Sequence, residues 1–338
     1  MTVSLCVIAY NEEKSIKQLF EDIKKQNYPH DKMEIVLVDS ASTDNTKAVM
    51  HSFAEEDNGF MDVKVCDNPK RIQAAGWNVA INAAQCEIIM RVDAHASIPS
   101  NFVSKNVAQI ESGEYVVGGQ RPNIAENDTP WENTLLVAES SMFGSSIAPF
   151  RKGQEKAYVK SVFHGAYRRE VFDKAGLFNE QLGRTEDNEL HYRICEAGYK
   201  ICYDPDIISY QHVRNTWCKM LRQKFGNGKW IGLTAGVCPK CLSIYHFVPF
   251  AFVLAIIVSI ICCVCGWSFP LAALAWTYGT VDVLMSILAM HGEKFYWQYI
   301  LLPFIFLSLH LAYGTGTLVG FIMLPKWRKE YYEKIGKK

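Results

Sequence analysis

From Ser243 to Leu324 the chain carries only three formal charges, Asp282, Glu293 and Lys294, and no other feature restricts its fold so severely. Phe247 to Cys265 runs nineteen residues without a charge, and Tyr299 to Leu324 is longer. At about 1.5 Å per residue, either can cross a hydrocarbon core of about 30 Å as a helix. Phe269 to Met290 is also apolar but contains Pro270, Gly279 and Asp282. The tail, Lys326 to Lys338, holds six basic residues and two acids. With a cytosolic first domain, three crossings would put this tail outside, against the positive-inside rule. The expectation is therefore two full crossings, with Phe269 to Met290 as a re-entrant or interfacial hairpin. Asp282 and His310 are polar groups of a kind that faces protein or a cavity, and both are candidates for contact with a lipid carrier's phosphate.

Residues before Ser243 have an ordinary soluble composition, so the boundary near Cys241 separates two solvents. Thirty-five basic residues balance thirty-five acidic ones, and nothing favours nucleic acid as a partner. Eleven cysteines are scattered through an α/β pattern or lie in the apolar run, which fits a reduced, cytosolic first domain better than a disulfide scaffold. Cys238-Pro-Lys-Cys241 has zinc-knuckle spacing but no second pair, and is read as structural. Thr2 to Tyr10 has no basic n-region followed by a cleavage site, so it is read as a strand and not a signal peptide.

That first part alternates strand and helix. Val3 to Ala9 and Met33 to Asp39 are apolar strands, each followed by a polar helix or a helix start at Ser42, Thr43 and Asp44. Val63 to Asp67 is a third strand, Arg71 to Ala84 a helix, and Ile88-Ile-Met-Arg-Val-Asp93 a buried strand that stops at an acid. Ile207 to His212 reads as the last strand. This order predicts an α/β fold with a doubly wound, mostly parallel sheet, and ligands of such folds bind at the carboxyl ends of the strands. Asp39 and Asp93 both stand there. Asp93 and His95, one residue apart, offer an oxygen and a nitrogen that suit a divalent cation such as Mn²⁺ or Mg²⁺.

Four ordered motifs, Val7-Ile-Ala-Tyr-Asn-Glu12, Val36-Leu-Val-Asp-Ser-Ala-Ser-Thr-Asp44, Asn68-Pro-Lys-Arg71 and Arg91-Val-Asp-Ala-His95, resemble family 2 glycosyltransferases of the GT-A fold, most closely the succinoglycan-type membrane branch. The resemblance covers residues 3 to 230. It implies a nucleotide-sugar donor, with Asp39 accepting from uracil N3, the backbone at Ala9 and Asn11 beside the base, Glu12 in the same motif, and Arg71 toward the diphosphate that Asp93 approaches through the metal. Two positions depart from the family pattern: Asp39-Ser-Ala-Ser42 replaces Asp-Gly-Ser, and His95 stands where many relatives have Asp. Arg184-Thr-Glu-Asp-Asn-Glu189 resembles the family's Glu-Asp motif, which implies Asp187 as the base for an inverting transfer and Glu186 as its orienting neighbour.

Further candidates complete the expected site. His164 and Gly165 face the acceptor or serve structure, and His212 returns to the metal or the diphosphate. Gln223, Lys229 and Trp230 partly match the Gln…Arg-Trp acceptor and product motif of processive relatives. The stretch Thr216 to Trp230 interleaves Trp217, Met220, Leu221 and Phe225 with Lys219, Arg222, Lys224 and Lys229, as in a basic amphipathic segment lying on an anionic leaflet. The expected organisation is a GT-A domain over 1–213, an interface segment over 214–242, and an α-helical transmembrane region with the basic tail over 243–338. The expected acceptor is a lipid-linked saccharide at the cell membrane, with the catalytic domain cytoplasmic. Alternatives are a polyprenyl-phosphate sugar synthase, a processive polysaccharide synthase and a non-catalytic sugar-binding scaffold.

Overall fold

A computed structural model describes residues 1–144 and 155–334; Lys337 and Lys338 of the basic tail lie outside them. The first half follows the expected alternation: β1 (Val3–Ala9), α1 (Ser15–Lys24), β2 (Met33–Asp39), α2 (Thr46–Glu55), β3 (Asp62–Asp67), α3 (Gln73–Ala83), β4 (Ile88–Asp93), β5 (Ala96–Ser97) and α4 (Phe102–Glu111). Next come β6 (Val116–Gln120), β7 (Asn123–Ile124), α5 (Pro130–Ser140), β8 (Ala157–Val159), β9 (Gly165–Arg168), α6 (Arg169–Ala175), α7 (Glu186–Glu196), β10 (Ile201–Ile208) and β11 (Tyr210–His212). The chain continues with α8 (Trp217–Thr234), α9 (Val248–Val264), α10 (Phe269–Ala289) and α11 (Leu302–Lys334). Two compact units result: Met1–Pro122 with Ala148–His212, and Asn123–Ile147 with Val213–Lys338. Residues 123–147 thus count with the helical unit, a division that differs from 1–213, 214–242 and 243–338.

The first unit is built on an eight-stranded sheet of order β3-β2-β1-β4-β9-β6-β10-β8. Its β3, β2, β1 and β4 strands are parallel, as are β6 and β10, whereas β9 runs antiparallel to β4 and β6 and β8 antiparallel to β10. The register sets Ala9 beside Asp39, Asp39 beside Asp67, and Ile8 beside Asp93, so these strands finish on one rim. Alternation of side chains sends Leu5, Val7, Ile35, Leu37, Met90 and Val92 into an apolar layer with Ile16, Leu19, Phe53 and Phe102. Cys6, Val36, Val38 and Ile89 enter the opposite layer with Trp77, Phe172, Leu190 and Ile194. Covering both faces explains why β1, β2 and β4 read as nearly unbroken apolar runs.

The last strand of that sheet begins earlier than expected, at Ile201 and not Ile207. Asp204-Pro205 interrupts the sequence pattern because proline cannot donate to a ladder. The β6–β10 register shifts between Asp204 and Ile208, and this irregularity accommodates the proline.

In the second unit, Ile244–Val264, Phe269–Ala289 and Trp297–Lys334 are each long and apolar enough to cross a membrane. Phe269–Ala289 is one uninterrupted helix, which corrects the hairpin expectation. Pro270 lies in its first turn, where a missing N–H costs no helical hydrogen bond. The same unit also corrects the picture of Lys224 as a leaflet-facing cation. Lys224 is buried and donates to Glu139 Oε1 of α5 at 2.8 Å. Backbones of α8 and α11 approach so closely that a Cβ on Gly228 would lie 2.0 Å from the Tyr313 carbonyl, and one on Gly320 2.3 Å from the Lys229 carbonyl. Small residues spaced by four permit such contact between helices, where lipid tails offer no hydrophobic drive for association.

Candidate active site

Three backbone conformations mark the rim of the first unit's sheet. Among the described residues, Asn11, Ala41 and Arg71 are the non-glycine residues with positive φ, at 56°, 56° and 57°. They follow β1, β2 and β3, and strain of this kind costs about 1–3 kcal/mol per residue unless the surroundings impose it. Here the surroundings do. Asn11 Oδ1 accepts from Thr43 N at 2.8 Å, and Asn11 N donates to Ser42 Oγ at 3.0 Å. Both Asp39 oxygens accept from Ser42 N at 3.2 Å. Ala41 therefore follows the backbone path for which a glycine would be the ordinary choice.

Asp39 is buried, and the Ser40 N–H beside it donates to the Ala9 carbonyl at 2.8 Å, tying β1 to β2 at the rim. Glu12 accepts from Ser15 Oγ at 2.8 Å, its backbone N–H donates to Thr46 Oγ1 at 2.8 Å, and its Oε1 lies 3.2 Å from His95 Nδ1. The Arg71 guanidinium carbon lies 5.8 Å from the centre of the exposed Tyr10 ring. Asn68 stabilises the turn before Arg71 by donating to Ser40 Oγ at 3.1 Å and the Ile72 carbonyl at 3.0 Å. Together these put Ala9 and Asp39 at the ends of β1 and β2, and Asn11, Glu12 and Arg71 on the loops that follow adjacent strands.

Asp93 is buried at the end of β4, with Oδ2 3.7 Å from His164 Nε2. Burial by itself would raise the Asp93 carboxyl; His164, His95 and Arg91 outweigh it and hold the group well below the usual carboxylate range. His164 is buried too, and burial keeps its imidazole below the ordinary histidine value despite Asp93. Its Nδ1 meets Ser209 Oγ at 2.8 Å, so both ring nitrogens face inward contacts. Gly165 follows at the start of β9, where a Cβ would lie 2.8 Å from the Tyr167 hydroxyl. His212 is on β11, which pairs with β5, and its Nε2 lies 3.4 Å from Ser97 Oγ. Among the described residues no three His, Cys, Asp or Glu side chains converge as a metal cluster.

Asp187 and Glu186 open α7. Asp187 Oδ1 is 2.7 Å from Arg91 Nη1, an ion pair by distance in which the two atoms are not aligned as a hydrogen bond, and Arg91 is a buried residue of β4. Glu186 Oε2 has no hydrogen-bond partner, and burial together with the Asp187 charge pushes its carboxyl up to about 8. The guanidinium carbon of Arg91 lies 4.4 Å from the Trp77 ring centre and 4.6 Å from that of Phe178. Sequence reasoning noted Arg91 as part of a motif without a task. The available signal was a lone charge inside a buried strand, two residues from Asp93 and so on the same face of the strand. Gln223, Lys229 and Trp230 lie on α8 in the second unit, where the Trp230 ring meets Trp327 edge-on at 5.9 Å.

Residues 4–176, just over half of the chain, match glycosyl transferase family 2. The chain belongs to this family. Among its relatives, it is 25% identical over 327 residues to the dolichyl N-acetyl-alpha-D-glucosaminyl phosphate 3-beta-D-2,3-diacetamido-2,3-dideoxy-beta-D-glucuronosyltransferase of Methanococcus voltae, covering 95% of this chain and 97% of that protein. It is 29% identical over 233 residues to the succinoglycan biosynthesis protein ExoA of Rhizobium meliloti, covering 68% of each. The mannosyltransferase PcManGT of Pyrobaculum calidifontis, solved with GDP-Man and Mn²⁺, superimposes with a TM-score of 0.63 at 21% identity, covering 95% of this chain and 86% of that one. The fold is thus GT-A, and the family 2 chain is a transferase of glycosyl groups carrying apolar helices that suit membrane association.

Proposed function

We propose that this family 2 enzyme is a metal-dependent, inverting glycosyltransferase that moves a sugar from a nucleoside diphosphate donor, UDP-linked by the Asp39 reading, to a lipid-linked saccharide. The observation that carries the proposal is the pairing of Asp187 with Arg91, which joins a carboxylate on α7 to the strand ending in Asp93. The acceptor hydroxyl would attack the anomeric carbon opposite the diphosphate as the bond from that carbon to the diphosphate oxygen breaks. Asp187 would take the hydroxyl proton, and the bonding electrons would leave with the diphosphate. Asp39, with lone pairs left beyond its two contacts to Ser42, can accept from the base, while Arg71 supplies a cation for the diphosphate.

Asp93 and His95 would hold a Mn²⁺ or Mg²⁺ ion, whose charge would stabilise the leaving diphosphate. The residues present fit such an ion. Asp93 is held ionised, His95 adds an imidazole, and a partial protein set suits cations that keep phosphate and water ligands. The Methanococcus voltae relative is named for transfer onto a dolichyl N-acetylglucosaminyl phosphate, which supports a lipid-linked saccharide acceptor here. By the positive-inside rule Lys219, Arg222, Lys229 and Lys240 before α9 favour a cytoplasmic position for the part of the chain that precedes it, and the basic tail after α11 satisfies the same rule only with an even number of crossings.

The test is nucleotide release by the purified full-length chain in detergent, with a panel of nucleotide sugars and either a lipid-linked saccharide or bare polyprenyl phosphate. Release that requires the saccharide and Mn²⁺ or Mg²⁺, and stops with a chelator, is the expected result. Preference for bare polyprenyl phosphate would replace the acceptor reading with that of a polyprenyl-phosphate sugar synthase. Asp93→Ala should lose metal-dependent UDP binding; full activity of this variant in excess chelator would refute the metal role.

A further inference from the structure

We infer that Arg91 is a positioning residue for transfer: it holds Asp187 Oδ1 from inside the protein and leaves Oδ2 as the atom that receives the acceptor's proton. The inference rests on Asp187 being the base.

The geometry of Arg91 is unusual for an ion-pairing residue. β4 is otherwise apolar up to Asp93, and its arginine is 2% exposed. The guanidinium lies against Trp77 of α3 and Phe178 of the segment after α6, at 4.4 and 4.6 Å from the ring centres. Two aromatic faces at these distances favour a planar cation and restrict the plane in which it can lie. The Phe178 wall is itself fixed, because Phe178 N donates to Asn78 Oδ1 at 2.8 Å while Asn78 Nδ2 donates to the Phe178 carbonyl at 3.0 Å.

Asp187 Oδ1 is buried, yet the Asp187 side chain keeps 18% of its exposure. The oxygen that faces Arg91 is shielded from solvent, so the remaining exposure belongs to the rest of the side chain. Tyr167 of β9 is buried and interacts with Arg91; its hydroxyl meets His191 Nε2 at 2.8 Å, and His191 Nδ1 meets Ser161 Oγ at 2.9 Å. His191 is four residues beyond Asp187 on α7, one turn along the same face. The first two turns of that helix are therefore anchored through side chains on β4 and β9, and the direction of the Asp187 carboxylate follows from them. A surface ion pair would supply little orientation, since two long side chains in water gain at most about 1 kcal/mol; a sandwiched guanidinium has few other places to go.

The experiment is steady-state transfer by the full-length chain with a donor and acceptor that support wild-type turnover, alongside UDP binding and thermal melting. Arg91→Lys keeps a positive charge but loses the planar fork. It is expected to lower kcat by about 100-fold, the scale of a base displaced by about 1 Å, with donor KM and UDP affinity within about twofold. Arg91→Ala should recover part of its kcat on addition of guanidinium and none with equal sodium chloride. If Arg91→Ala fails to fold, Phe178→Leu removes one wall of the sandwich and is expected to cost about tenfold in kcat at unchanged donor KM. Wild-type kcat in Arg91→Lys, a loss carried by donor KM, or no response to guanidinium in folded Arg91→Ala would overturn the assignment. Asp187→Asn separates the two ideas. If it retains turnover, the base reading itself fails; if it is inactive while Arg91→Lys turns over normally, only the positioning role fails.

Discussion

The two ends of one sheet treat a buried carboxylate in opposite ways. At the amino end, Glu34 of β2 is fully buried, yet it accepts from Ser4 Oγ, from Gln85 N at 2.8 Å, and from Lys64 of β3. Burial would raise its carboxyl, but Lys64 and the hydrogen bonds carry it below the ordinary value. Toward the carboxyl rim, Glu186 is also buried, but one oxygen has no partner and the group is pushed up to about 8. The non-glycine residues with positive φ among the described residues are at that rim as well. A fold can satisfy a buried acid with three partners when nothing has to bind there. Where the rim departs from that, the cost points to a ligand.

Glu34→Ala should test the contrast most severely. Removing one partner of a buried pair is expected to cost about 3 kcal/mol, seen in chemical denaturation of the chain in detergent, while kcat of the folded fraction stays at the wild-type value. A comparable loss of kcat would mean that the two ends are not independent.

Opposite pH dependences sharpen it further. Glu34 has a depressed value in the fold, so its contribution is present above the unfolded glutamate value, near 4.5, and is lost as pH falls through the lower folded value. Glu186 has a raised value, so the fold is favoured at low pH and loses stability as pH rises from about 4.5 to about 8. Melting of Glu186→Gln across that window should lack this decline, and an unchanged slope would contradict the burial of an ionisable Glu186.

Ala41→Gly probes the smallest effect. Relieving a positive φ of 56° should stabilise by at most about 1 kcal/mol, with the glycine's added freedom in the unfolded chain offsetting part of the gain. A clear loss of stability would show that the alanine methyl has packing value there.

Much of the fold was legible because its signals are local. β1 and β2 were read with their observed limits, and β4 was read up to Asp93, since apolar runs stop abruptly where the sheet meets solvent. α2 starts at Thr46, beyond the expected cluster, with Asp44 Oδ1 accepting from Thr46 N at 3.0 Å. β10 begins at Ile201, before the expected Ile207, and its irregular pairing with β6 shows how Pro205 is accommodated within it. The donor-side residues were nameable from motifs, whereas the contacts of Arg91, Tyr167, His191 and Ser161 link positions far apart in sequence. No spacing rule connects them. Lys224 misled the reading for a related reason: its partner Glu139 is eighty-five residues away, so a buried pair looked like one more surface cation.

The most direct test of Asp187 as the base is Asp187→Asn, assayed by single-turnover sugar transfer and by calorimetric UDP binding on the same preparation. Transfer should fall by at least about 1,000-fold, within the range a general base contributes, while UDP affinity stays at the wild-type value and melting falls because the buried Arg91 loses its charge partner. Turnover retained in the folded variant would contradict Asp187 as the base.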